Sequence, residues 1–346
     1  MATSLVRTHN DWDPLEEIIV GRIEGARVPK PDVSVTAIDY PDLDPAEVPS
    51  GPLPLRVVEE TAEDLALLTE ALEKQGVRVR RPDVHDHARR FRSLDWESEG
   101  ASNVCPRDVL LAVGDAIIET PMALRSRQYE TLSYRAVLSE YSESGARWIA
   151  APRPRLLDRS YISLGGGNYA LDESEPIFDA ANVLRVGRDI LYQVSCSGNR
   201  SGGRWLQSVL GPSYSVHPVE HLYIATHIDT TFTLVRPGLV VANAARVSRD
   251  NLPALFRTWD VIYFDEVIDI GYTGAPICSP WVGMNFLMVH PELAIVDHRQ
   301  GALIRELERW GVHVLPLSIR HARTIGGGFH CVTLDVRRRG ELESYR

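Results

Sequence analysis

Apolar positions along this chain fall into two alternating patterns. In the first, a helical run ends at a glycine and alternating apolar residues follow at once. "LALLTEALEKQGVRVRRP" (65–82) sets the form, with leucines at helical spacing, Gly76 as the stop, then Val77 and Val79 two apart. "YRAVLSEYSESGARWIAAP" (134–152), "RWLQSVLGPSYSVHPV" (204–219) and "ALIRELERWGVHVLPL" (302–317) repeat it, with Gly145, Gly211 and Gly311 as stops. "NLPALFRTWDVIYFDEV" (251–267) is a copy without the glycine. The spacing predicts five helix–strand pairs.

The second pattern is strand, tight turn, strand. "DVLLAVGDAIIETP" (108–121), "NVLRVGRDILYQVS" (182–195), "FTLVRPGLVVAN" (232–243) and "NFLMVHPELAIVD" (285–297) predict hairpins. The opening "EEIIVGRIEGARV" (16–28) and the closing "CVTLDVRRRGELESY" (331–345) read as halves of a fifth hairpin, split between the termini. The unit is then ββαβ, repeated about five times. Units of this size cannot bury their own faces and must pack on one another. Ends that complete one unit predict closure into a five-bladed, pseudo-symmetric α/β propeller, one domain over 1–346. An ordinary α/β sheet with incidental similarity is the simpler alternative, since short helix–Gly–strand runs are common.

Composition narrows the class. The 346 residues, 44% hydrophobic, are ample for a large core, and the net charge of −10 speaks against nucleic acid or anionic membrane as partner. No run approaches a membrane span, and the opening "MATSLVRTHNDWDPLEE" lacks the apolar core of a signal peptide. Four cysteines, Cys105, Cys196, Cys278 and Cys331, are too few and scattered for a disulfide framework and form no CxxC pair. The expectation is a cytoplasmic protein with reduced thiols, three of them small buried hydrophobes.

The chemistry-bearing residues precede the hairpins. Asp108 ends "CPRD"; Asp179 lies in "FDAAN"; His227 and Asp229 lie in "THIDTTF"; Ser279 lies in "ICSPWVGMN"; Cys331 opens the terminal strand after "IGGG". In a ring these positions are equivalent and meet at one end of the central channel. Three glycines before Cys331 cost backbone entropy and permit close approach, which favours a nucleophile over a core cysteine. His227 then reads as general acid/base and Asp179 as its orienter, against the commoner fates of core histidine and turn aspartate. His330 would point away from Cys331 on a strand. Asp108 and Asp229 add carboxylates that a planar guanidinium would join. Arg246, just past the fourth hairpin, reads as a clamp for a substrate carboxylate or as a surface arginine, and Ser279 as a turn residue or a ligand contact. The Asp–His–Asp set could alternatively hold a divalent cation, but no helical ligand spacing such as HExxH accompanies it, so neither metal nor cofactor is expected. "SLGGGN" (163–168) lacks the helix and lysine of a phosphate loop and reads as a flexible loop; "RFRSLDWESE" and "DVRRRG" read as solvated faces or local ion pairs.

"CPRDVLLAVGDAIIETPMALRSR", "EPIFDAANVLRVG", "THIDTTF", "SPWVGMN" and "GGGFHCVTLDVRRRG", with the opening "THNDWDPLEEIIVGR", together resemble the arginine:amine amidinotransferases over nearly the whole chain. Among them the similarity leans to the inosamine-phosphate amidinotransferases of streptomycin-type pathways, with glycine amidinotransferase more distant. The resemblance implies the pentein-type five-fold α/β propeller, Cys331 as nucleophile with His227 and Asp179, Asp108 and Asp229 on the guanidinium, and Arg246 and Ser279 on the amino-acid end of the donor. It also carries the expectation of a dimer. Ile224 and Thr226 stand where the glycine enzyme has asparagine and methionine, which weakens a glycine acceptor and leaves the cyclitol open. The implied chemistry moves the amidino group of L-arginine through an amidino-cysteine to an amine, releasing ornithine. A guanidine hydrolase on the same scaffold, and a non-catalytic binding module with a structural Cys331, are the alternatives.

Overall fold

The computed structural model describes residues 4–346. Five three-stranded sheets share one order: an antiparallel pair, then a third strand parallel to the second. They are Leu110–Val113, Ala116–Glu119 and Arg147–Ala150; Val183–Val186, Asp189–Gln193 and Ser215–Val219; Phe232–Arg236, Leu239–Asn243 and Asp260–Phe264; Leu287–His290, Leu293–Asp297 and His313–Leu317. The fifth joins the termini: Leu15–Val20 pairs antiparallel with Thr333–Arg338 and parallel with Arg78–Arg80. The architecture is α/β, and no hydrogen-bonded sheet closes around all five units among the described residues.

Helices Leu55–Lys74, Arg135–Glu143, Arg200–Leu210 and Gly301–Arg309 supply the crossovers. Leu65, Leu68 and Leu72 are fully buried at the three- and four-residue spacing that faces one side of a helix. The predicted stops Gly76, Gly145, Gly211 and Gly311 all have positive φ, the conformation that releases a helix into the next strand. The 251–267 helix does not form. Only the 3₁₀ turn Ala254–Phe256, with Pro253 before it, precedes the strand at Asp260. "SLGGGN" is not a loose loop but the turn of the hairpin Tyr161–Gly165/Asn168–Leu171, and "RFRSLDWESE" forms the short hairpin Arg90–Arg92/Glu97–Glu99.

In the hairpin strands nearly every position is buried, whereas most positions of the third strands are half-buried or exposed. A charged knot lies where these inner strands converge. Asp335, fully buried, accepts from Arg107 Nη2 at 2.7 Å, Arg185 Nη2 at 2.7 Å and Arg338 Nε at 2.6 Å. Arg185 also holds Asp11, and Arg338 donates to the Met288 carbonyl at 2.9 Å. The "DVRRRG" run is therefore partly an internal pairing element. The N-terminal stretch straps the units together, with Thr8 bridging Gly114 and Asn10 bridging Val186.

One helical turn enters each hairpin, and these five turns carry the candidate residues. They are Pro106–Val109, Ala180–Asn182, Ile228–Thr230 and Pro280–Met284, and for the split hairpin Ala322–Ile325 with the glycine run after it.

Candidate active site

The five entry turns present their side chains to one another. His227 precedes its turn at φ +67°, a strained conformation for a residue with a Cβ. That bend brings its Nε2 to 3.1 Å from Asp179 Oδ2 and its Nδ1 to 3.7 Å from Asp108 Oδ1. Asp179 stands at the N-cap of its turn but makes no capping hydrogen bond with its side chain: its Oδ1 accepts from the Ala123 N–H at 3.1 Å, leaving Oδ2 for the imidazole.

Cys331 lies in a turn two residues before its strand, closed by Val332 N–H to the Gly328 carbonyl and Thr333 N–H to that of His330. Strand alternation therefore does not govern this segment, and His330 does not face away. Its Nδ1 lies 2.9 Å from Asp229 Oδ2, the oxygen that also sits 3.2 Å from Cys331 Sγ. Asn285 approaches from the other side, with Nδ2 at 3.2 Å from Sγ and Oδ1 accepting the Cys331 N–H at 3.0 Å. The glycine run makes this possible: a Cβ on Gly327 would land on Cys331 Cβ, and one on Gly328 would sit 2.9 Å from the Asn285 carbonyl oxygen.

Charge is concentrated here. Burial alone would lower the His227 value, but Asp108, Asp179 and Asp229 outweigh it and push it up to about 9, so the ring is an imidazolium at neutral pH. Burial would raise Asp229, yet His330, His227 and the Cys331 thiol bring it down to about 2. Burial, with Asp229 and Asp108 next, holds the Cys331 thiol well above its usual value. Asp108 Oδ2 takes Arg127 Nη1 at 2.6 Å. Asp108 Oδ1 and Asp229 Oδ1 are buried and accept no hydrogen bond from the protein. Two buried carboxylate oxygens without a hydrogen bond in one site suit a planar cation with several N–H donors. Asp108, His227 and Cys331 also bring one donor atom each within 4.8 Å of one another.

A cavity lies beside this centre, lined among others by Asp108, Asp179, His227, Arg127, Asp39 and Thr226, but not by Asp229 or Cys331. Arg246 and Ser279 are joined to each other, Nη2 to Oγ at 2.8 Å, but do not line it. Arg246 Nη1 is engaged by Thr230 and Thr231, and its guanidinium carbon lies 3.5 Å from the centre of the Tyr223 ring. Arg125 is spent on the Leu156 carbonyl and Asp158 and does not line the cavity.

Sequence reading passed over Asn285 and Asp39 and set His330 aside. Asn285 ends the "SPWVGMN" stretch, where an asparagine reads as a turn residue. Asp39 sits in "AIDYPD" with no local signal; burial, opposed by Arg127 and reinforced by Asp179, raises its carboxyl to about 7.

No protein-family model matches the chain. It is 55% identical to inosamine-phosphate amidinotransferase 1 of Streptomyces glaucescens, covering 99% of both chains. It is 37% identical to the mitochondrial glycine amidinotransferase of Danio rerio, covering 98% of this chain and 84% of that one. Its structure superposes on that of the inosamine-phosphate amidinotransferase of Streptomyces griseus with a TM-score of 0.96, at 54% identity and 99% coverage of each. It shares a fold with a dimethylarginine dimethylaminohydrolase at a TM-score of 0.60, 15% identity, and coverage of 92% and 99%.

Proposed function

The chain belongs to the amidinotransferases, and from that premise we propose that it moves the amidino group of L-arginine to the amine of an aminocyclitol phosphate, in the biosynthesis of an antibiotic or related specialised metabolite. The observation that carries the donor reading is the pair of buried oxygens that take no hydrogen bond from the protein, Asp108 Oδ1 and Asp229 Oδ1, on carboxylates that stand beside Cys331 Sγ. A guanidinium between them supplies N–H donors to both and brings its carbon to the sulfur. It also offsets the two carboxylates that hold the thiol up, so donor binding favours the thiolate.

The Cys331 proton passes to Asp229, whose Oδ2 lies 3.2 Å from the sulfur, and the thiolate forms a C–S bond to the guanidinium carbon. The C–N bond to ornithine then breaks as the His227 imidazolium gives its proton to the departing nitrogen. Asp179 holds the ring throughout. The amidino-cysteine is attacked by the acceptor amine; His227, now neutral, takes the proton from that nitrogen, and the thiolate leaves. The leaving thiolate takes its proton back from Asp229, so atoms and charge close over the two half-reactions without a further reagent.

Arg27, Asp39, Tyr40, Ser102 and Thr226 around the cavity give polar groups that suit a hydroxylated acceptor. Arg246 and Ser279 take the amino-acid end of the donor in this reading, which requires Tyr223 to leave the face of Arg246. We further propose that residues 1–346 form one domain, its five sheets arranged as blades about the Asp335 knot. No described helix is long and apolar enough to cross a membrane.

Intact-protein mass spectrometry after incubation with L-arginine tests the donor half. The expected result is one amidino adduct on Cys331, discharged by an aminocyclitol phosphate but not by glycine. Citrulline production without an adduct would replace the transferase reading with a hydrolase.

A further inference from the structure

Asn285 grips the nucleophile at two points. The Cys331 backbone N–H is an obligatory donor and lies 3.0 Å from Oδ1. That contact settles which end of the amide is which, so the group 3.2 Å from Sγ is the Nδ2 donor. The Asn285 backbone carbonyl accepts the His330 N–H at 3.2 Å, its own N–H reaches the Val282 carbonyl at 3.0 Å, and the residue is 1% exposed. An element of the fourth sheet therefore holds both the backbone and the sulfur of a turn belonging to the terminal strand.

The other close partner of the sulfur is Asp229 Oδ2, an acceptor. An acceptor suits the thiol and opposes the thiolate; a donor does the reverse. Ionisable groups bearing on the sulfur are Asp229, Asp108 and Cys105, with His330 and His227 bound to the carboxylates. All three named first disfavour negative charge on sulfur. Among the uncharged partners, the Nδ2–H is the one directed at the atom where that charge develops. The glycines serve this contact: any side chain at Gly328 would press on Asn285, and one at Gly327 on Cys331.

We propose that Asn285 is a catalytic residue, which fixes the Cys331 sulfur for attack and stabilises its thiolate through the Nδ2–H···S hydrogen bond. The proposal rests on Cys331 being the nucleophile of the reaction above. A hydrogen bond to a charged group corresponds to roughly 10- to 100-fold in rate.

The test uses Asn285→Asp, which keeps an acceptor for the Cys331 N–H and removes the donor, and Asn285→Ser, which shortens the side chain. Each is compared with wild type in iodoacetamide alkylation of Cys331 across pH, in single-turnover adduct formation from L-arginine, and in arginine affinity by calorimetry. Both variants should alkylate along a profile displaced to higher pH and form adduct roughly 10- to 100-fold more slowly, with affinity changed less than about threefold. A folded variant with an unmoved profile and an adduct rate within about twofold of wild type overturns the proposal, as does loss of the folded state in both, which would make the role structural. Wild type that alkylates normally but takes no amidino group from arginine would strike the donor reading instead.

Discussion

Cys331 is a thiol that its surroundings keep protonated, and this sets its behaviour. Burial and the carboxylates of Asp229 and Asp108 oppose the thiolate, so alkylation of the free enzyme by iodoacetamide should be slow at pH 7 and climb as pH rises beyond 9. Cys331→Ser should form no adduct while still binding arginine, read by mass spectrometry and calorimetry; transfer at near wild-type rate would sink the covalent scheme. His227 titrates in the opposite sense. Its folded value of about 9 lies above the unfolded 6.5, so its contribution to stability is complete below pH 6.5 and is lost as pH rises through about 9. The acid proposed for ornithine departure disappears over the same range. kcat/KM for arginine should therefore fall above about pH 9, and a profile level to pH 10 would remove His227 from that role.

The turns that enter the hairpins position this chemistry, and their glycines differ in what they do. Gly327 sits against Cys331, with Sγ 2.9 Å from where a Cβ would be. Gly327→Ala should displace the sulfur and slow adduct formation about 100-fold, since misplacement near 1 Å costs that much. Gly311 has φ +76° and open space around it, so Gly311→Ala should cost about 1–2 kcal/mol of stability with adduct formation unchanged. Equal effects of the two changes on activity would contradict this division. Helix stops such as Gly311 were legible in sequence because a glycine between a 3.6-residue and a 2-residue period has few other readings. The missing helix at 251–267 was not, because Leu252, Phe256 and Trp259 are apolar for packing into the third sheet's core.

The whole molecule turns on Asp335. Three arginines, from three different sheets or their entry turns, converge on one fully buried carboxylate. Burial would raise its value, but Arg185, Arg338 and Arg107 hold it well below the ordinary carboxylate range. Its contribution is then present above the unfolded value of 3.8 and is lost only as pH falls through the folded one. Asp335→Ala leaves buried Arg107 and Arg338 without a carboxylate and Arg185 with Asp11 alone, and should destabilise by about 3–5 kcal/mol in urea unfolding, far more than loss of an exposed pair such as Lys74–Glu70. A change below about 1 kcal/mol would mean that the knot is not what joins the units.

Periodicity, turn residues and the split terminal hairpin are local or self-repeating signals, so strand and helix order could be read from the chain alone. The entry positions Asp108, Asp179, His227, Asp229, Ser279 and Cys331 followed from that repeat. Which of them touch did not. Asp179 on His227, Asp229 on Cys331 and His330, Arg127 on Asp108, and Arg246 facing Tyr223 rather than the cavity depend on how five separate turns meet. Asn285 was invisible for the same reason: its partner lies 46 residues away, and nothing in "VGMN" marks a contact made only after both turns are packed. Side-chain chemistry is written residue by residue, but distance between residues far apart in sequence is set by the packed core and by the charges buried within it.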